Sequence, residues 1–446
     1  MKPLITNSSH FLHSFDKVIE VAPDKSISHR SLIFAAIADG VSKIYNLLEG
    51  EDVINTAKAL KSMGVEIIKQ DKYWQVSGVG LVGLSAPNNV FDMGNSGTST
   101  RLLSGLVTPY NFTSFFTGDE SLRKRPMARI FKPITQFGAT INARDNNLLP
   151  FSITGPTNPL PIDYTLENAS AQVKSCILLA AIATRGRTTI YEPELCRDHT
   201  EIMMKHLGLK INITDIEVNN KIGKKIEYKG FQEFAAQDFN IPGDISSAAF
   251  FIVATLISKN SQIIIKNTGL NKLRTGIITT LQEMGGDIQI DNMQEIGGEL
   301  VGDIIVRSSN LKGVEVPSCR SSSMIDEYPI LAIAAANAVG VTRMDGLGEL
   351  KVKESNRLLL TCNNLNLCGV ETKIDGDSLI INGGIKQPRE LVKINSSMDH
   401  RIAMSFFIMG LKINAGIEID DSSMIATSFP NFLDIFANLG VIADPL

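Results

Sequence analysis

The chain has 446 residues, with 43 Lys and Arg against 47 Asp and Glu, and a formal net charge of −4. Charges of both signs are spread along it, so no basic stripe points to nucleic acid and no polycationic face points to an anionic membrane; any anion site must be local. The longest apolar runs, about ten to fourteen residues, fall short of the roughly 20 that span a bilayer.

At the N-terminus, Met1-Lys2-Pro3-Leu4-Ile5-Thr6-Asn7 lacks the apolar core and cleavage site of a signal peptide, so the expected location is cytoplasmic. The next feature is an opening strand, Val18 to Val21, which precedes the first repeat and is a candidate to pair with the second half of the chain, giving two chain crossings. From there a unit of strand, polar loop, helix and second strand recurs six times. Each copy ends on a helix that stops at a Gly before a strand: Gly64, Gly138, Gly208, Gly285, Gly369 and Gly440. A Gly there fits the left-handed C-cap that turns a helix into a strand. The spacings of 74, 70, 77, 84 and 71 residues indicate one supersecondary design copied along the chain.

A second helix recurs between these endings, with a polar start and an apolar body. The starts lie at Asp24 to Arg30, Asn95 to Arg101, Ser170 to Ser175, Asp244 to Ser247, Ser321 to Asp326 and Ser396 to Arg401. Stretches such as Leu32 to Ala38 and Ala248 to Ile257 are apolar nearly all round, which predicts interior helices. The polar starts read as N-caps, and equally as N–H groups able to hold a phosphate or carboxylate. Three units are expected in a first domain, residues 23–239. Three more are expected in a second domain, residues 1–22 plus 240–446, with helices inside, sheets outside and the active site in the cleft between the domains. The boundary is set by Phe239-Asn240-Ile241-Pro242-Gly243-Asp244, where a polar stretch meets a Pro-Gly turn.

The five cysteines, Cys176, Cys196, Cys319, Cys362 and Cys368, are odd in number and lack CxxC spacing, so neither a disulfide framework nor a zinc site is predicted. The thiols are read as buried or incidental, with Cys196, beside Arg197, the one whose thiolate a neighbouring cation would favour. No HxxxH or HExxH pairing points to a metal, and Gly94-Asn95-Ser96-Gly97 matches neither GxGxxG nor a P-loop. No metal and no organic cofactor is called for.

Bases cluster at the loop–helix junctions: Lys25 and Arg30; Arg101; Arg123, Lys124 and Arg125; Lys174; Arg197; Arg320; Lys351, Lys353 and Arg357; Arg401. Singly each reads as a solvated residue. At repeat-equivalent loops they would converge, and convergent Arg side chains suit carboxylate and phosphate, so the implied ligand is small and polyanionic. Among the acids, Asp399 reads either as a neutraliser of these arginines or as a functional group. Asp326, at the start of an apolar helix, is a candidate general base. Glu354 follows Lys353, which would allow a proton relay through that pair. No Ser-His-Asp order or activated Cys supports a covalent mechanism.

These residues fall into a recognisable set. Asp24-Lys25-Ser26-Ile27-Ser28-His29-Arg30, Gly94-Asn95-Ser96-Gly97-Thr98, Lys124-Arg125-Pro126, Val352-Lys353-Glu354-Ser355-Asn356-Arg357 and Met398-Asp399-His400-Arg401-Ile402-Ala403-Met404 together resemble the EPSP synthase family, 3-phosphoshikimate 1-carboxyvinyltransferases, over essentially the whole chain and in order. Ala169 to Ser175, Arg197 to Glu201 and Ala426 to Pro430 are similar to the class II bacterial branch.

The resemblance implies an α/β fold: a two-domain inside-out α/β barrel of the enolpyruvyl transferase type, with three βαβαββ-like repeats per domain and six in all. It implies transfer of the enolpyruvyl group of phosphoenolpyruvate to the 5-hydroxyl of shikimate 3-phosphate with release of phosphate. That reaction lies on the pathway to chorismate and the aromatic amino acids. By motif, Lys25, Ser26, Arg30, Ser170, Gln172, Arg197, Asp326 and Lys353 are implied shikimate 3-phosphate contacts. Lys25, Gly97, Arg125, Gln172, Arg357 and Arg401 are implied phosphoenolpyruvate contacts, and Asp326, Glu354 and Lys25 the catalytic groups. The expected protein is a monomer acting on two small molecules.

Departures from the family pattern are Thr427 where many relatives have Lys, Asn356 for a common Asp, and Leu102 where Pro often stands. Thr427 is therefore left out of the catalytic set. Gly97 keeps the small residue of the glyphosate pocket, so inhibition competing with phosphoenolpyruvate is expected. One rival is the UDP-N-acetylglucosamine enolpyruvyl transferase family, which carries a reactive Cys in the loop matching Gly118-Asp119-Glu120-Ser121, where this chain has none. The other is a noncatalytic sugar-phosphate binding protein, which would keep the arginines without needing Asp326 or Glu354.

Overall fold

The computed structural model describes residues 3–10, 14–218, 220–441 and 444–445; Met1 and Lys2, used above in the N-terminal reading, lie outside them. The chain forms two compact units. The N-terminal unit comprises Pro23–Ile241 and Ile296–Glu299, and the C-terminal unit comprises the chain up to Ala22, Pro242–Glu295 and Leu300 onward.

The helices, in chain order, are α1 (Lys25–Ile37), α2 (Glu51–Ser62), α3 (Gly97–Val107), α4 (Ala128–Gln136), α5 (Ala171–Ile182) and α6 (His199–His206) in the first unit. In the second they are α7 (Ile245–Leu256), α8 (Gly276–Glu283), α9 (Tyr328–Ala336), α10 (Arg357–Leu367), α11 (His400–Gly410) and α12 (Phe432–Asn438). The odd-numbered helices are the apolar ones, and nearly every residue of their bodies is buried. In the C-terminal unit α7, α9 and α11 pack on one another, and in the N-terminal unit α3 packs on α1 and α5. The even-numbered helices end on the six repeat glycines, every one with a left-handed φ between 79° and 100°.

Five of the six polar starts cap their helices by side chain: Asp24, Ser96, Ser170, Asp244 and Asp399 each accept from a first-turn backbone N–H. The fifth repeat differs. Ser318–Ser323 forms a 3₁₀ turn, and α9 begins only at Tyr328, two residues beyond Asp326. Pro329, which has no N–H to satisfy, favours a first turn at that point. Asp326 therefore sits on the loop leading into the helix, outside its first turn.

Outside the helices, the described residues form six four-stranded sheets of one pattern. A short strand pairs in parallel with the strand that follows an inner helix, and two antiparallel strands complete the sheet. In the first sheet Phe239–Asn240 pairs with Asp39–Tyr45, so the end of the N-terminal unit closes its own first repeat. The opening strand is Asp16–Ile19, two residues earlier than read from the sequence, and Val18 lies opposite Ile264. A strand not foreseen, Leu4–Thr6, completes the last sheet, with Ile5 opposite Glu418. The hairpin tip Ile296–Glu299 belongs to the N-terminal unit although its strands belong to the other, so the chain crosses four times rather than twice. Gly297 and Gly298, both with positive φ, make that turn.

Two inner helices, α3 and α5, approach closely at Gly105. A Cβ there would lie 2.2 Å from the Cys176 carbonyl oxygen and 2.7 Å from its Cα, backbone atoms that cannot swing away. Gly105→Ala is expected to force α3 off α5 and cost roughly 1–3 kcal/mol, read as a lowered denaturant midpoint with an unchanged slope.

Candidate functional site

In the C-terminal unit the loop between the 3₁₀ turn Gly348–Val352 and α10, with the first residue of that helix, brings Lys353 and Arg357 onto Asp326. Asn356 caps α10, its Oδ1 accepting from Leu359 N at 3.1 Å, so the Asn that replaces a common Asp still starts the helix. Arg357, first in α10 and 1% exposed, is the hub. Its Nη1 lies 3.2 Å from Asp326 Oδ1, its Nη2 2.5 Å from Glu354 Oε2 and its Nε 2.8 Å from Asp399 Oδ2. Lys353 Nζ donates to Asp326 Oδ1 at 3.1 Å. The Lys353 ammonium is thus recorded on Asp326, where the sequence had paired it with Glu354.

Burial disfavours the charged form of Arg357, but Asp399, then Glu354 and Asp326, more than offset it and hold the guanidinium well above its ordinary pKa. For Asp399 burial is the largest influence and pushes the carboxyl up, but the charge and hydrogen bond of Arg357, with His400, hold it below its ordinary value. Asp399 also caps α11, accepting from Arg401 N at 2.9 Å, and accepts from Ser355 Oγ at 2.9 Å. The neutralising role considered for it is therefore the one the contacts support. Two successive left-handed residues, Ser397 (φ 49°) and Met398 (φ 58°), turn the chain into α11, a strained entry of the kind that persists at functional sites. Arg401 Nη1 donates to the Asp326 carbonyl at 3.2 Å and lies 3.6 Å from Glu327 Oε1.

In the N-terminal unit the site residues gather at the starts of α1, α3 and α5. Lys25 pairs with Asp52. Gln172 joins two of these helices: its Oε1 accepts from Arg101 Nη1 at 2.7 Å and its Nε2 donates to Thr98 Oγ1 at 2.9 Å. Arg125 donates to the Asn95 carbonyl at 3.2 Å and to the Asn95 side chain. Gly97 opens α3 beneath these arginines; a Cβ on it would lie 2.8 Å from Arg101 Nη1 and 3.2 Å from Arg125 Nη1. Ser26 and Ser170 lie in the first turn of α1 and at the cap of α5. Arg30 is buried, donating to Thr200 Oγ1 and Ser175 Oγ at 2.7 Å and to the Ser26 carbonyl at 2.9 Å; burial pushes its pKa down to about 10. Arg197, half-buried, precedes α6.

Not every base takes part in these groups. Arg320 pairs with Glu283, Lys351 with Asp377, and Lys174 is buried between Glu192 and Glu201. Cys196 is no thiolate: burial pushes its pKa far up, Lys174 opposes this only in part, and its thiol donates to Glu192 at 2.9 Å. The sequence reading passed over Glu327 and Asp52. A charged residue entering an apolar helix was the available signal for Glu327; Asp52, in an ordinary acidic first turn of α2, gave none.

Comparison with known proteins settles the family. The family model for EPSP synthase (3-phosphoshikimate 1-carboxyvinyltransferase) matches residues 13–436. The chain belongs to the EPSP synthase family. It is 48% identical over 421 residues to the 3-phosphoshikimate 1-carboxyvinyltransferase of Paramagnetospirillum magneticum, covering 94% of each chain. It is 47% identical to that of Gluconobacter oxydans, covering 95% of each. The EPSP synthase structure from Acinetobacter baumannii is similar over 100% of both chains, with a TM-score of 0.86 and 39% identity. The enolpyruvyl transferase NikO from Streptomyces tendae shares the fold, with a TM-score of 0.77 at 17% identity over 100% of this chain and 99% of that one. The architecture is thus the two-domain inside-out α/β barrel of the enolpyruvyl transferases. Against the EPSP synthase pattern, Thr427 ends the 3₁₀ turn Ser423–Thr427, its hydroxyl donating to the Met424 carbonyl at 2.7 Å, and Leu102 is fully buried in α3.

Proposed function

We propose that this protein transfers the enolpyruvyl group of phosphoenolpyruvate to the 5-hydroxyl of shikimate 3-phosphate, releasing phosphate. The observation that carries the chemistry is the pair of carboxylates, Asp326 and Glu354, held on one buried guanidinium with Lys353 beside them. In the addition step Asp326 takes the 5-hydroxyl proton as its oxygen bonds to the central carbon of phosphoenolpyruvate, and Glu354 protonates the methylene to a methyl group. In the elimination step the carbon–oxygen bond to phosphate breaks as Asp326 passes its proton to the departing phosphate oxygen, and the methyl group returns a proton to Glu354, restoring the double bond.

Lys25, Ser26, Arg30, Ser170, Gln172, Arg197, Asp326 and Lys353 are assigned to shikimate 3-phosphate. Lys25, Gly97, Arg125, Gln172, Arg357 and Arg401 are assigned to phosphoenolpyruvate. The cations among them would stabilise charge moving between carboxylate and phosphate during reaction. The noncatalytic rival has no use for the two acids on Arg357. A cytoplasmic monomer working without metal or organic cofactor completes the reading. Proton NMR of the reaction mixture tests it: vinyl signals of an enolpyruvyl ether on the acceptor are expected, and unchanged substrates would refute the reading.

Gly97 gives a sharper test. The added methyl of Gly97→Ala would displace the ends of Arg101 and Arg125, which can shift without unfolding the protein. The KM for phosphoenolpyruvate is expected to rise about tenfold, with the KM for shikimate 3-phosphate little changed. Glyphosate should inhibit the wild type competitively with phosphoenolpyruvate and the variant far less. Full activity of the wild type at high inhibitor would contradict this placement of Gly97.

A further inference from the structure

Lys174 is 0% exposed, on an inner helix, among groups to which the reaction assigns no role. Its ammonium lies 2.7 Å from Glu201 Oε1 on α6 and 2.8 Å from Glu192 Oε1 on the strand Arg187–Glu192, and it donates to the Cys196 carbonyl at 3.3 Å. Glu192 Oε1 also accepts from Cys196 N at 2.8 Å. Cys196 is therefore held at both its carbonyl and its N–H, one residue before Arg197. Adjacent in sequence to the two ends of the Lys174–Glu201 pair, Ser175 Oγ and Thr200 Oγ1 lie 2.7 Å apart, and both accept from Arg30.

The two layers form one device. The first, Lys174 with Glu192 and Glu201, fixes the loop that carries Arg197 and ties α6 to α5. The second, Ser175 with Thr200, holds the Arg30 guanidinium against that tie. Lys174, Glu192 and Glu201 are each at most 2% exposed. A buried ion group of this kind is weak evidence for stability, since apolar residues of similar volume often do as well. Its best-attested use is to fix one arrangement among several.

We infer that the buried clasp of Lys174, Glu192 and Glu201 is a positioning device for Arg30 and Arg197, and so sets affinity for the phosphorylated acceptor rather than for phosphoenolpyruvate. The inference rests on the reading that Arg30 and Arg197 meet shikimate 3-phosphate. Contacts to a remote phosphate act in ground state and transition state alike, so their displacement raises KM and leaves kcat largely intact.

The test is steady-state kinetics of Lys174→Met, which keeps the length of the side chain but not its charge, and of Glu192→Gln, nearly isosteric and able to fold where Lys174→Met does not. Lys174→Met is expected to raise the KM for shikimate 3-phosphate about tenfold, and Glu192→Gln about threefold, with kcat and the KM for phosphoenolpyruvate within about twofold of wild type. Equal rises in both KM values, or a fall in kcat at unchanged KM, would overturn the inference. So would an unfolded Lys174→Met beside a Glu192→Gln with wild-type constants, which would leave the clasp a purely structural tie. Failure of the underlying reading looks different: the wild type itself would not turn over shikimate 3-phosphate.

Discussion

Asp326→Asn and Glu354→Gln are each expected to lower kcat by about 10³-fold while binding of both substrates changes by less than about tenfold, since a positioned acid or base contributes typically 10²–10⁴-fold. The replacements are nearly isosteric. Each keeps an acceptor oxygen for Arg357, which lies 3.2 Å from Asp326 and 2.5 Å from Glu354, so the cluster should hold its shape. The two variants should nevertheless differ in kind. Asp326→Asn blocks removal of the hydroxyl proton, so no tetrahedral adduct accumulates. Glu354→Gln blocks protonation of the methylene, so exchange of the methylene protons of phosphoenolpyruvate with deuterated solvent stops as well. Rapid-quench analysis and solvent exchange read these separately. Near wild-type turnover in either variant would remove that residue from the chemistry.

Arg357→Met should be the most damaging single change to both fold and activity. The guanidinium is the shared partner of Asp326, Glu354 and Asp399, and Asp399 is 0% exposed. Removing one member of a buried ion group strands the rest, at a cost of about 3–5 kcal/mol, and the assigned contact with phosphoenolpyruvate is lost with it.

The pH dependence carries a sign. Burial raises the Asp399 carboxyl more than any other single influence, but Arg357 and His400 together outweigh it, so in the wild type the folded pKa lies below the ordinary value of about 3.9. That stabilisation is present above the ordinary value and is lost as pH falls through the lower, folded one. In the variant burial acts on Asp399 without Arg357, and the sign reverses: protonation relieves the fold. The stability gap between wild type and Arg357→Met should therefore narrow on acidification from pH 7 toward pH 5, measured as denaturant midpoints. A gap that widens would contradict this account of Asp399.

Much of the fold was legible because its signals are local. A Gly after a helix and before a strand reports a left-handed cap wherever it stands, and all six repeat glycines have that φ. Polar starts ahead of apolar runs gave five of the inner helices, whose bodies bury on every side. The exceptions turned on information that lies elsewhere in the chain. Leu4–Thr6 is too short to announce itself and is a strand because Ile417–Ile419 accepts it. The hairpin tip belongs to the N-terminal unit through partners such as His199, whose Nδ1 lies 2.6 Å from Glu299 Oε1.

The candidate site divides in the same way. Asp326, Lys353, Glu354, Arg357, Asp399 and Arg401 were each singled out by charge and motif, but the hub position of Arg357 follows only from three segments meeting. The reading of Cys196 as a buried thiol holds, and the thiolate weighed beside it rested only on a neighbour in sequence, Arg197. In the fold its thiol faces Glu192, and desolvation dominates. Lys174, one base among many in the sequence, has its meaning set by two carboxylates 18 and 27 residues further along the chain.

The most direct test is phosphate release from phosphoenolpyruvate by the purified protein, without added metal, in the presence of either shikimate 3-phosphate or UDP-N-acetylglucosamine. Release that requires shikimate 3-phosphate and ignores the nucleotide sugar is the predicted result. Release with UDP-N-acetylglucosamine alone, or with neither acceptor despite binding of both small anions, would contradict it.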